Sequence, residues 1–66
     1  MRVVFSVIGT DEEVATDLPF LPIIGHAVSF VLDGDEFGDE YEIKDVGYSI
    51  DKDGVLEYVI AHVESL

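Results

Sequence analysis

Cysteine and tryptophan are absent from this chain of 66 residues, and bases are scarce: three Lys and Arg stand against fifteen Asp and Glu, a formal net charge of −12 at pH 7. Without cysteine there is no disulfide framework, thiolate metal site or thiol nucleophile. Without a positive face, a nucleic-acid backbone and an anionic membrane are poor partners, and neither is expected to bind directly. Long apolar runs are missing too. The longest uncharged stretch, residues 18–32, is broken by Pro19, Pro22, Gly25 and His26, too short and interrupted to span a bilayer. The start, Met1 to Gly9, turns acidic at Asp11-Glu12-Glu13 and lacks the longer apolar segment and small-residue cleavage site of a signal peptide, so a soluble, cytoplasmic protein is expected. Disorder is excluded by a hydrophobic content of 48% with 11% aromatics. Residues 1–66 make one domain, small enough that burial and chain ordering nearly cancel and a partner subunit would help.

What is present reads as strands and turns. Residues 2–8 are β-branched and aromatic, with Val3, Phe5 and Val7 on one face and Val4, Ser6 and Ile8 on the other. A turn follows, and residues 13–16 return as a short, weak strand. Residues 27–32 alternate again, with Val28, Phe30 and Leu32 sharing a face. In 41–50, Tyr41 and Ile43 are in phase, as are Val46, Tyr48 and Ile50, but the step between the two sets is three residues. One inserted residue near Lys44-Asp45, a β-bulge, restores the phase. Asp51-Lys52-Asp53-Gly54 is a hairpin loop with glycine suited to positive φ. The last strand, 55–63, is apolar on both faces and therefore central or covered. Helix is confined to at most one turn at 12–16 and one at 61–66. The pattern predicts an all-β fold: a small SH3-like barrel or roll of four to five strands, whose closure removes exposed edges.

The order of an N-terminal strand, "DLPFLPIIGHAVSF", an acidic turn, "YEIKDVGYSID" and a closing "GVLEYVIAHVE" resembles small proteins common in phages and other mobile elements. These share a Leu-Pro-rich loop, a Gly-polar-x-Val entry and a Tyr-x-hydrophobic-x-x-Val strand. The resemblance implies an SH3-like barrel with no assigned activity.

Chemistry-bearing motifs are few. Counted from Asp33, an EF-hand loop needs an oxygen ligand at its fifth position and glutamate at its twelfth; Phe37 and Lys44 stand there. Asp51-x-Asp53-Gly54 returns at once to apolar strand, as a turn does. His26 and His62 sit in no nucleophile motif, and Ser6, Ser29 and Ser49 lack the Gly-x-Ser-x-Gly elbow. A ligand pocket of the usual size would consume much of so small a core. No enzyme, cofactor or metal is expected. The informative segment is residues 18–24, apolar throughout yet in a loop. It is either a flap plugging one end of the barrel or a ridge stiffened by Pro19 and Pro22 for docking, with Leu18 and Ile24 inward and Phe20 and Leu21 partly outward. The acids gather in and beside turns, where they confer solubility or meet a basic surface.

The expected function is a small acidic, non-enzymatic protein-binding module of phage or mobile-element origin. Phe20, Leu21 and Ile23 with Asp35, Glu36 and Asp39 would contact a protein partner, a basic surface being the kind their charge suits. The alternatives are a structural homo-oligomeric subunit and a charge-based inhibitor of a nucleic-acid-binding protein. The charge makes one prediction at once: about 0.3 M salt raises the melting temperature at pH 7 by screening self-repulsion. A flat or falling melting temperature in a calorimetric salt series would show acids already paired or dispersed.

Overall fold

A computed structural model describes residues 1–32 and 34–66. Five strands follow in chain order: β1 (Arg2–Val7), β2 (Glu13–Asp17), β3 (Ala27–Phe30), β4 (Asp39–Ile50) and β5 (Leu56–Ser65). They form one sheet in the order β2-β1-β5-β4-β3, in which only the β1–β5 pair is parallel. The sheet curls into a half-barrel, so the all-β roll is observed. No helix among the described residues is long and apolar enough to cross a membrane. The single turns of helix allowed at 12–16 and 61–66 are not formed; β2 takes residues 13–16 and the end of β5 takes residues 61–65 as strand.

Phase decides the core. Val3, Phe5 and Val7 of β1 lie beside Val59, Ala61 and Val63 of β5, and all six are buried. Tyr41 and Ile43 of β4 complete the buried set, with Leu18, Val28, Phe30 and Val46 packed against it. The anticipated central strand is β5, third of the five. Its other face, with Tyr58, Ile60 and His62, is half-buried. The anticipated bulge is also present: Ile43 pairs with Val63 and Asp45 with His62, leaving Lys44 unpaired between them. The hairpin loop after β4 is locally specified. Gly54 N–H donates to the Asp51 carbonyl at 3.0 Å with Gly54 at φ 83°, a backbone state that favours glycine. The Asp51 carboxylate accepts from the N–H groups of Asp53 at 2.8 Å and Val55 at 2.9 Å.

Closure is where the structure departs from expectation. β2 pairs only with β1 and β3 only with β4, so a seam stays open between the two edge strands. β3 also ends at Phe30, leaving half-buried Leu32 outside it. Phe30 stacks on Tyr41 with centroids 4.5 Å apart and tilts against Phe5 at 5.8 Å, bridging the end of the sheet to its middle. Phe30→Ala is therefore expected to cost about 2–4 kcal/mol, toward the low end for a phenylalanine because the ring is half-buried. Phe37→Ala, at an 80% exposed ring, should leave urea midpoints unchanged. Equal midpoints for the two variants would remove Phe30 from the core.

Candidate functional site

The open seam makes a trough. An apolar cavity of about 390 Å³ runs between Val14 and Thr16 of β2 and the residues of β3, with Phe5 and Ile43 on its floor. This cavity does not consume the core, as a pocket of its size was expected to do. The volume comes from leaving the half-barrel unclosed, not from hollowing its core.

The 18–24 loop forms one lip, and both of its ends are tied by backbone bonds. Met1 and Leu18 exchange bonds of 2.8 and 2.9 Å at its start. At its end, Gly25 N–H donates to Ile43 O at 2.8 Å and Ile43 N–H donates to His26 O at 2.9 Å. His26 N–H also donates to Ile23 O at 3.1 Å, closing a turn that needs positive φ at its third residue, and Gly25 has φ 92°. Between the ties Pro22 is buried, whereas Phe20 is 62%, Leu21 42% and Ile23 54% exposed. Leu18 turns inward as expected. Ile24 does not: it sits in the turn, 60% exposed, because the phase that buries Pro22 leaves the turn's corner in solvent. Phe20, Leu21, Pro22 and Ile23 all border the cavity.

The other end is acidic. The Tyr41 hydroxyl titrates above its ordinary 10.0, chiefly because burial desolvates the ring, and further because Asp39, Glu12 and Asp35 surround it with negative potential. Asp39, Glu12 and Asp35 thus all act on the Tyr41 phenol. Glu36 is exposed in the turn before β4. Asp33, first residue of the acidic turn, lies outside the described residues. Among the described residues the one ion pair is Lys44–Glu42 at 2.8 Å, and its hydrogen bond and charge hold the ammonium protonated above its ordinary range. No group of three metal-ligating side chains occurs among the described residues. His26 borders the cavity, whereas His62 lies on the opposite face in register with Ser6, so the two histidines do not meet.

No protein-family model, curated protein or solved structure matches this chain.

The raised Tyr41 pKa fixes the sign of an alkaline effect. The unfolded phenol ionises near 10.0 and the folded one later. Tyr41 therefore contributes its full share of stability below the unfolded value, and that share declines as pH rises towards the folded one. Between about pH 9 and about pH 11, Tyr41→Phe should lose less stability than the parent protein, read as urea midpoints. Parallel losses would place the Tyr41 hydroxyl in water.

Proposed function

We propose that this protein is a non-enzymatic protein-binding module that works by occupying a surface on a partner. The observation that carries the reading is the lip itself. Three large apolar side chains, Phe20, Leu21 and Ile23, are held outward by a loop tied at both ends, beside an apolar cavity. A loop already ordered loses little entropy on docking, and exposed apolar residues that border a hollow are what a partner anchor would cover. Asp35, Glu36 and Asp39 give the far end a negative field that draws a basic surface at long range. A basic surface of that kind on a nucleic-acid-binding protein would make the module an inhibitor. An origin in a phage or another mobile element and a cytoplasmic setting belong to the same proposal, supported by the sequence resemblance and the acidic composition.

A second reading has its own observation. At the far end of the β4–β5 hairpin, Tyr48, Ile50, Val55 and Leu56 are between 40% and 59% exposed, a patch that self-assembly would cover. Light scattering on the purified chain separates the readings, because a stable oligomer favours the structural role.

For a partner captured from cell lysate, the two contact elements should fail differently. Charge reversal at Asp35, Glu36 and Asp39 should slow association and flatten its salt dependence while dissociation stays nearly constant. Alanine at both Phe20 and Leu21 should speed dissociation about tenfold or more, measured by surface plasmon resonance. Unchanged rates in both variants would mean that neither element touches the partner. Unfolding of the second variant in isolation would make the loop a plug.

A further inference from the structure

The seam leaves one edge of β2 and one edge of β3 unpaired. Paired neighbouring strands lie about 4.8 Å apart. No Cα of β2 comes within 8 Å of a Cα of β3, yet residues of both strands wall the same cavity. A second hollow of about 410 Å³ continues the slot between Glu12–Ala15 and Val31-Leu32.

Both walls carry backbone groups without a partner among the described residues. Bonds from Val7 N–H to Glu12 O and from Leu18 N–H to Met1 O fix the alternation along β2. Glu12, Val14, Thr16 and Leu18 face β1, so Glu13, Ala15 and Asp17 turn their N–H and C=O groups into the slot. On β3, the bond from Ile43 N–H to His26 O sets the same alternation and turns Ala27 and Ser29 outward.

Resting on the protein-binding reading above, we infer that the partner supplies one extended segment, alternating apolar and basic residues, which enters this slot as a sixth strand along β2. Side chains specify the alternation. Val14 and Thr16 face the cavity, so every second residue of the incoming strand meets an apolar surface. Glu13 and Asp17 are in register with Ser6 and Arg2, on the face away from the core, so the intervening residues lie opposite carboxylates. Opposite charges directly across a strand pair stabilise it, and like charges destabilise it. The same rule disfavours a second copy of this chain: two β2 edges paired antiparallel about Ala15 would set Glu13 against Asp17 twice.

The test uses the intact protein and a capped synthetic peptide of about eight residues in which valine and lysine alternate. Lysines opposite Glu13, Ala15 and Asp17 direct their own N–H groups at β2, and the valines direct theirs at β3. N-methylation of the lysine amides should therefore weaken binding about tenfold or more with no change in charge, the loss expected when edge hydrogen bonds are removed. At saturation with the unmodified peptide, the amide protons of Glu13, Ala15 and Asp17 should exchange at least about tenfold more slowly by NMR. Ala15→Pro removes one slot-facing donor, a position where an edge strand tolerates proline, and should weaken binding while β-type circular dichroism is kept.

Equal affinity of the methylated peptide overturns the inference, as does protection confined to Ala27 and Ser29. A peptide-free dimer that protects Glu13 to Asp17 also overturns it, in favour of a second copy. Should Ala15→Pro unfold, the methylated peptide on the parent protein decides alone. Failure of the wider reading looks different. A cellular partner that tolerates Ala15→Pro but is lost with alanine at Phe20 and Leu21 overturns strand addition only, whereas a partner indifferent to all three overturns both.

Discussion

The parallel pairing of β1 with β5 is the contact on which the rest of the structure depends. It joins the first strand to the last, so its ordering entropy is recovered only when the whole chain is in place. In return it sets Val3 beside Val59, Phe5 beside Ala61 and Val7 beside Val63, all six buried. Each hairpin alone would leave one of these rows in water. Once they meet, β2 and β4 follow as antiparallel neighbours, and β3 is carried in by β4.

A core this narrow explains the open seam. Five strands with β-branched side chains on the inner face fill the floor of the roll, but β2 and β3 are only five and four residues long. Their edges stay apart, and Phe30 covers the gap partway by stacking on Tyr41. The 18–24 loop borders the cavity without sealing it, which leaves Phe20 and Ile23 in solvent beside a buried Pro22. The loop thus has two sides: its tied ends and Pro22 belong to the fold, and Phe20, Leu21 and Ile23 stand in solvent.

Electrostatics restrict what can fill the opening. With a net charge of −12 and one ion pair among the described residues, much of the negative charge is unneutralised within the chain. Carboxylates on an edge strand resist pairing with a like edge and favour a basic one. Glu13 and Asp17 place two such carboxylates on the unpaired edge of β2.

Period-two alternation by itself set out the strands and the two faces of each. Val3-Phe5-Val7 and Val59-Ala61-Val63 each read as one face because side chains alternate strictly across a strand, and the broken phase at Lys44 read as a bulge for the same reason; which of the two apolar faces of β5 is buried was decided by its pairing with β1. Local chemistry likewise determined the Asp51–Gly54 hairpin, since an aspartate and a glycine suffice to close it. The outward Phe20 and Leu21 were legible as an apolar run in a loop. Strand order, the open seam and the exposure of Ile24 were decided only in three dimensions. Each depends on how far the sheet curls before its edges meet, and curl is set by long-range packing that no local pattern encodes.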